Sequence, residues 1–211
     1  MNILSIDTVL DKSYIALSLN DKDIYRQINS DEKNYHSAYL IKVLKEILNE
    51  NNVSLKDIDY IGVNTGVGSF TGIRVGLTIA KVISNRLNIK TVPYNTAEVL
   101  SNAFDNKNIM LDARRNSVFR SKNGADIELI SYEEALQTSE NSNERYISDL
   151  SLYENAYFEK IKSKLIPYEK ENKNLAIAEL AVVKNKIKEN KITDTYSLKP
   201  TYIQTPPIFM K

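Results

Sequence analysis

The chain has 211 residues, of which 42% are hydrophobic and 26% are charged, so it can build a substantial core and is too apolar for a disordered protein. With one histidine and no cysteine, it lacks the usual ligands of a zinc hydrolase and the residues of a disulfide-stabilised scaffold. The 28 basic and 27 acidic residues give a net charge of +1, which shows no excess of positive charge for a phosphate backbone.

The hydropathy pattern predicts a cytoplasmic protein that does not enter the membrane. No stretch reaches the roughly 18 apolar residues that a membrane helix needs. The N-terminal sequence MNILSIDT also reaches Asp7 before an apolar secretory region could form.

The first hundred residues alternate between strand and helix patterns. Three short strands are predicted at 3–7, 13–19 and 23–28, followed by an amphipathic helix at 36–51. A buried strand at 59–65, a helix at 71–86 and a strand at 89–94 come next. This order is typical of an RNase-H-like or actin-like half-domain, so the predicted fold class is α/β.

The pattern after residue 100 is weaker and predicts a second, smaller subdomain. Its predicted elements are short strands at 108–113, 117–121, 126–130 and 144–148, a helix at 131–137 and a helix within 172–190. Prolines interrupt the C-terminal tail at Pro200, Pro206 and Pro207. We therefore divide the chain into a first subdomain at 1–100 and a second at 101–211, whose C-terminal helix and tail are expected to return to the first.

A glycine-bearing loop, GVGSFTG, lies between the predicted strand at 59–65 and the following helix. Gly66, Gly68 and Gly72 permit tight turns, and either Ser69 or Thr71 can cap the helix, so the loop could hold a phosphate group. A plain strand-to-helix turn with an N-cap explains the same residues and is the commoner case. The loop is not a Walker motif, because no Lys-Ser or Lys-Thr pair follows it.

Other polar residues have two interpretations each. Asp7, with Thr8, could hold a magnesium-bound water near a nucleotide or could cap the first hairpin. Asp112, Arg114 and Arg115 could form a polar site or an exposed strand end. His36 stands beside Ser37 at the start of a helix, where a position next to the N-cap is favoured over a nucleophilic pair.

The helix at 71–86 is apolar on two sides. Ile73, Leu77 and Ile83 can cover the sheet, which leaves Val75, Ile79 and Val82 to be covered elsewhere. Either the first amphipathic helix or a partner protein could cover them.

Five segments in order resemble one known family: ILSIDT, NYHSAYLIKVLKEIL, LKDIDYIGVNTGVGSFTGIRVGLTIAKVI, TVPYNTAEVL and LDARRNSVF. They resemble the TsaB family, a threonylcarbamoyladenosine biosynthesis subunit once described as glycoprotease-like. The resemblance covers about the first 120 residues. Beyond them it consists mainly of the helix around LAIAELA and the Pro-Thr-Tyr-Ile segment.

This resemblance implies an actin-like ATPase fold of two subdomains, the second degenerate, and a non-catalytic scaffold role in modifying the adenosine next to the anticodon. The implied partners are a catalytic TsaD-like subunit and a TsaE-like ATPase, with tRNA reached only through the complex and a homodimer left open for the isolated chain. The catalytic paralogue binds its metal through a His-x-x-x-His pair after the strand that matches TVPY. Residues 95–99 occupy that place here and contain no histidine.

The resemblance also implies site residues. No catalytic or metal-binding residue is expected, and no cofactor is assigned to this chain itself, although ATP at an interface of the complex is left open. The candidate nucleotide-binding residues are Asp7, Thr8, Gly66, Gly68, Ser69 and Gly72. The candidate partner interface consists of His36, Tyr39, Leu40, Val43, Arg74, Val75, Ile79 and Val82.

Two departures from the family pattern weaken the case for nucleotide binding. Val67 replaces the usual proline, which should loosen the loop, and Val9 replaces a serine that could face a phosphate. The alternatives to a scaffold are a free-standing actin-like ATPase or kinase and, less favoured, a peptidase. A kinase of this class would need a second glycine-rich phosphate loop, whereas Gly124 is the only glycine after Gly76.

Overall fold

The computed structural model of the protein describes residues 1–29 and 37–203. The chain divides into two compact units. Unit 1 contains Met1–Thr96 and Ala176–Thr201, and unit 2 contains Ala97–Leu175 and, among the described residues, Tyr202 and Ile203. The domain division at residue 100 drawn from the sequence thus lies a few residues after the first boundary, and the structure places most of the C-terminal helix in unit 1.

The secondary structure consists of strands, α-helices and short 3-10 helices. The strands are β1 Asn2–Asp7, β2 Lys12–Leu19, β3 Lys22–Asn29, β4 Tyr60–Asn64, β5 Lys90–Tyr94, β6 Ile109–Asp112, β7 Ser117–Ser121, β8 Glu128–Ser131, β9 Tyr146–Ser148 and β10 Leu165–Pro167. The α-helices are α1 Ser37–Glu50, α2 Phe70–Leu87, α3 Thr96–Phe104, α4 Tyr132–Glu140, α5 Leu150–Tyr153 and α6 Leu175–Lys188. The 3-10 helices are Leu55–Asp57, Ala156–Lys164 and Tyr168–Lys170.

Unit 1 is built on a five-stranded sheet in the order β3-β2-β1-β4-β5. Strands β1, β2 and β3 are antiparallel, whereas β4 and β5 run parallel to β1. Leu4 and Ile6 of β1 point to one face and join a buried cluster with the apolar residues of α1 and α2. Because side chains alternate along a strand, Ser5 and Asp7 point to the opposite face.

The C-terminal helix α6 covers that opposite face of the unit 1 sheet. A Cβ added to Gly62 of β4 would lie 2.5 Å from a methyl group of Val183, so the helix packs directly on the strand backbone. At the edges of the sheet, Lys184 forms an ion pair with Asp23 at 2.8 Å, and Lys186 donates to the carbonyl of Pro93. Unit 1 is therefore a sheet with helices on both faces.

Unit 2 repeats the strand arrangement of unit 1. Its sheet order is β10-β9-β6-β7-β8, with β6, β7 and β8 antiparallel and β9 and β10 parallel to the first strand. Its core contains α4, α5 and the 3-10 helix Ala156–Lys164, with Met110, Tyr146, Phe158 and Ile161 buried. Asp112 ends the first strand of unit 2 as Asp7 ends the first strand of unit 1.

The α/β fold class and the actin-like arrangement predicted from the sequence are confirmed, and the predicted strands and helices of the first hundred residues agree with the structure within about two residues at each end. One strand and two α-helices of the described residues were missed, namely β10, α3 and α5, and the three 3-10 helices were not predicted either. No helix of the described part is both long and apolar enough to cross a membrane.

Candidate functional site

Asp7 lies at the C-terminal end of β1 and is only 2% exposed. One carboxylate oxygen accepts the backbone N–H of Val9 at 2.8 Å, and the other accepts the side-chain amide of Asn64 at 2.7 Å. Burial raises the pKa of Asp7 to about 6, although these two hydrogen bonds oppose the rise. The carboxyl group is thus engaged by the protein itself on both oxygens.

Asn64 connects Asp7 to the glycine-bearing loop. It ends β4, accepts the backbone N–H of Gly66 at 2.9 Å and donates to the hydroxyl of Thr96 at 3.2 Å. Thr96 in turn donates to the carbonyl of Val67 at 2.6 Å. These buried bonds hold the first half of the loop against the start of α3.

The second half of the loop packs against the turn between β1 and β2. A Cβ added to Gly72 would lie 1.8 Å from the carbonyl oxygen of Thr8, and one added to Gly68, which has φ of +146°, would lie 2.6 Å from Val9. The hydroxyl of Thr8 donates to the carbonyl of Gly72 at 2.6 Å. Ser69 is the N-cap of α2 and accepts the N–H of Gly72 at 3.1 Å.

The geometry therefore brings together all six residues predicted for nucleotide binding and gives each a role inside unit 1. Gly68 and Gly72 are required because the turn after β1 and the start of α2 approach too closely for a side chain, and Gly66 adopts a positive φ of +114°. Val67, expected to loosen the loop, is 2% exposed, and its carbonyl is hydrogen-bonded. These contacts fit a strand-to-helix turn with an N-cap better than a phosphate cradle, and nucleotide binding stays a prediction.

A second buried carboxyl, Glu179 of α6, was missed by the sequence analysis. It is fully buried, and its Oε2 accepts the hydroxyl of Ser5 at 3.3 Å, while Ser5 is 2.9 Å from the hydroxyl of Tyr94. Its Oε1 has no hydrogen-bond partner among the described residues. Burial, followed by the charge of Asp7, raises the pKa of Glu179 well above its usual range. The only sequence signal is a glutamate within the apolar run LAIAELA.

The predicted partner interface divides into buried and exposed residues. His36 lies outside the described residues. Leu40, Val43 and Ile79 are 4%, 6% and 9% exposed and belong to the unit 1 core, so of the two alternatives for Ile79 the structure favours coverage within the chain itself. Tyr39 and Val75 are partly buried against this core, whereas Arg74 and Val82 are exposed.

The exposed side of α2 borders a groove of about 620 Å³. Val82, which is 63% exposed, contributes an apolar wall. The lining residues are Ser54, Leu55, Lys56, Val82, Ile83, Arg86 and Leu87. The groove thus combines aliphatic side chains with two basic ones.

Asp112 is the centre of a polar cluster in unit 2. It accepts the backbone N–H of Arg114 at 2.9 Å and the hydroxyls of Tyr132 at 3.0 Å and Ser151 at 2.8 Å. The segment at 112–115 is therefore both a polar cluster and an exposed turn. The sequence alone could not distinguish between these two interpretations. Within residues 1–29 and 37–203, no group of three or more histidine, aspartate or glutamate side chains is placed to hold a metal ion.

Comparison with known proteins adds a family relationship. The family model described as tRNA N6-adenosine threonylcarbamoyltransferase, TsaD, matches residues 27–147. A relative in Buchnera aphidicola (strain Bp), named tRNA threonylcarbamoyladenosine biosynthesis protein TsaB, is 39% identical over 90 residues, which cover 43% of this chain and 40% of the relative. The protein of the same name in Bacillus subtilis is 34% identical over 123 residues, which cover 56% and 53%.

The matched part spans about half or less of the length of these curated relatives. A crystal structure from Pseudomonas aeruginosa, described as an uncharacterized protein with similarity to peptidase YeaZ, has a TM-score of 0.74 at 14% identity. It covers 96% of this chain and 99% of that chain, so the fold is shared over nearly the whole length.

Proposed function

Because this chain belongs to the family of TsaD, the tRNA N6-adenosine threonylcarbamoyltransferase, and of its TsaB relatives, we propose that it is a non-catalytic subunit of a tRNA-modifying complex. In this proposal it forms a heterodimer with a catalytic TsaD-like subunit. The partner then transfers the threonylcarbamoyl group to the adenosine next to the anticodon. A TsaE-like ATPase completes the complex.

The main observation behind a non-catalytic role concerns the segment that follows β5. The family resemblance locates the metal-binding histidines of the catalytic paralogue there, whereas this chain has residues 95–99 without histidine. Thr96 is fully buried in this segment, where its hydroxyl bonds to the Val67 carbonyl and the Asn64 amide. The position is thus used to hold the glycine-bearing loop in place, which supports a structural role over a catalytic one.

The exposed side of α2 supports a partner-binding role. Arg74 and Val82 are exposed on this helix, and Val75 is half-buried. A valine that is 63% exposed beside an apolar groove leaves hydrophobic surface that association would remove from water. We therefore retain Tyr39, Arg74, Val75 and Val82 as the surface that meets the TsaD-like subunit, with Leu40, Val43 and Ile79 supporting it from the core.

The proposal assigns no tightly bound nucleotide to the isolated chain. Both oxygens of Asp7 have protein partners, and the carbonyl of Thr8 occupies the space beside Gly72. ATP, if it is required, would be bound by the complex. Calorimetry of the isolated chain should detect weak binding or none, and tight binding that is lost in Asp7→Ala would favour an actin-like ATPase or kinase instead.

A reconstituted modification assay tests the proposal. Purified TsaD-like and TsaE-like proteins, threonylcarbamoyl-adenylate and unmodified tRNA are combined with or without this chain, and the modified nucleoside is quantified. We expect modification only when the chain is present. Full modification without it, or modification by the chain alone, would contradict the proposed role.

A further inference from the structure

The turn between β6 and β7 holds three consecutive residues in the left-handed region: Arg114 at φ +64°, Arg115 at +51° and Asn116 at +55°. Glycine and asparagine adopt this conformation readily, whereas the Cβ of arginine crowds the following carbonyl oxygen. Both arginines are exposed, and the side chain of Arg114 is 83% exposed. Neither side chain gains the burial that could offset an unfavourable backbone conformation, and Arg114 stays open to solvent while its guanidinium forms a long ion pair with Asp112 at 3.9 Å.

The rest of unit 2 holds this turn firmly. Asp112 is only 8% exposed in its side chain, and it accepts hydrogen bonds from the N–H of Arg114 and the hydroxyls of Tyr132 and Ser151. The N–H of Tyr132 donates to the carbonyl of Asn116 at 2.9 Å. The two guanidinium groups are therefore carried by a backbone that is braced at both ends, which lowers the entropy lost on binding a ligand.

An exposed aromatic ring lies on the same network. Tyr157 is 46% exposed, and its ring centroid is 5.4 Å from that of Tyr132, whose hydroxyl donates to Asp112. Proteins bind single-stranded RNA by stacking bases on such rings while arginines contact the phosphates. An acidic protein surface would use the arginines but would not require the exposed ring.

We propose that Arg114 and Arg115 form a binding site for the phosphate groups of an RNA strand, with Tyr157 as a stacking surface. The proposal rests on the proposed function only for the identity of the RNA, which is then the tRNA substrate. A net charge of +1 does not oppose it, because counterion release depends on the local phosphate contacts. Residues 114–116 are all exposed, which suits an extended polyanion better than a small nucleotide, since the latter needs a concave pocket.

The test measures binding of a fluorescently labelled, unmodified tRNA transcript to the full chain. The double variant Arg114→Gly/Arg115→Gly removes both charges and supplies residues suited to the left-handed region. The control Lys122→Gln/Arg145→Gln removes two exposed charges from the opposite end of the same sheet, where β7 ends and β9 begins. We expect the glycine variant to bind roughly tenfold more weakly and to lower the salt-dependence slope by about 1.4. The control should bind like the wild type.

Thermal melting separates lost binding from lost folding. The glycine variant should melt at or above the wild-type temperature, because glycine adopts the left-handed conformation without the crowding that the Cβ of arginine causes. If it melts lower, Arg114→Asn/Arg115→Asn provides a second variant that tolerates the same conformation. Tyr157→Leu should weaken binding without changing the salt slope.

Several results would overturn the proposal. Unchanged RNA affinity in both arginine double variants, or equal losses in the glycine variant and the control, would exclude a specific site at this turn. If the arginine variants keep their RNA affinity but no longer co-purify with a TsaD-like protein, the turn binds a protein partner instead. If stoichiometric ATP displaces the RNA, the turn binds a nucleotide instead. If the wild-type chain binds RNA but does not support modification, the proposed function fails while this inference stands.

Discussion

Buried carboxyl groups determine how unit 1 responds to pH. Asp7 and Glu179 are both fully enclosed, and burial raises the pKa of each. Each folded-state pKa lies above the unfolded value, so unfolding releases protons in the pH range between the two values. The free energy of unfolding is therefore largest below the unfolded pKa and falls as the pH rises through the folded one.

Replacing Glu179 tests whether its buried carboxyl group lowers the free energy of unfolding at high pH. Glu179→Gln is isosteric with the protonated acid and keeps an oxygen for the Ser5 hydroxyl. We expect the variant to be more stable than the wild type at pH 8, by on the order of 1 kcal/mol or more, with a smaller difference at pH 5. Urea unfolding at both pH values measures this, with Glu46→Gln on the surface of α1 as the control. A variant that loses stability equally at both pH values would show that Glu179 is ionised and stabilising.

Gly72 is explained by close packing, and its replacement tests that explanation. Gly72→Ala would place a Cβ 1.8 Å from the carbonyl oxygen of Thr8, an overlap that requires β1 and α2 to separate. We expect a loss of about 1–3 kcal/mol or more in the absence of any ligand. Thr71→Ala, at an exposed neighbouring position, should change stability by less than about 0.5 kcal/mol. Unchanged stability of Gly72→Ala, measured by urea unfolding, would mean that the glycine serves ligand binding instead.

Among the single residues of the candidate site, the sequence identifies those whose role depends on a local pattern and misses those whose role depends on a distant contact. Asp7 and the glycines were recognised because a strand end and a glycine-bearing loop are local patterns. Asn64, Thr96 and Glu179 were not, because each acquires its role from a partner distant in sequence, as Glu179 does from Ser5. Hydrophobic periodicity carries no information about a contact between residues that are distant in sequence.

The helix α2 shows what periodicity can and cannot establish. Its bounds, within one residue at each end, and its two apolar sides were predicted from the sequence, and Ser69 was one of two candidate N-caps beside Thr71. The pattern could not say which side the chain itself covers. The structure buries Ile79 in the cluster that also contains residues of α1, and leaves Val82 exposed.

This difference between two positions on one helix supplies a matched pair of variants. Val82→Glu should leave the stability of the isolated chain within about 0.5 kcal/mol, because the side chain is 63% exposed, and should abolish co-purification with a TsaD-like partner. Ile79→Glu should lose several kcal/mol of stability, because it would bury an unpaired carboxylate. Thermal melting and co-purification are measured for both. Retained partner binding by a stable Val82→Glu chain would place the interface elsewhere.

The helix α3 was missed because it follows a strand without a separating loop. Tyr94 ends β5 and Thr96 begins α3, so only one residue separates the strand from the helix. The strand pattern was recognised, and the nine residues of the helix after it were left unassigned. The short elements α5 and β10, of four and three residues, are too short for any periodicity to register.

The part of the chain that the structure describes contains one strand arrangement twice. Both units have three antiparallel strands followed by two parallel ones in the same order. The sequence revealed this arrangement only in unit 1, because its first three strands are six to eight residues long and show a clear pattern. The strands of unit 2 are only three to five residues long. The topological repeat also places the turn with Arg114 and Arg115 where unit 1 has the turn after Asp7, a relationship that no sequence motif indicates.

We propose that this chain acts through a TsaD-like partner. The most direct test is to mix the two purified proteins and determine the mass of the product by size-exclusion chromatography with light scattering. We expect a stable complex with one copy of each chain, formed by the wild type and not by Val82→Glu. Separate elution of the two wild-type proteins at concentrations where each is folded would contradict it.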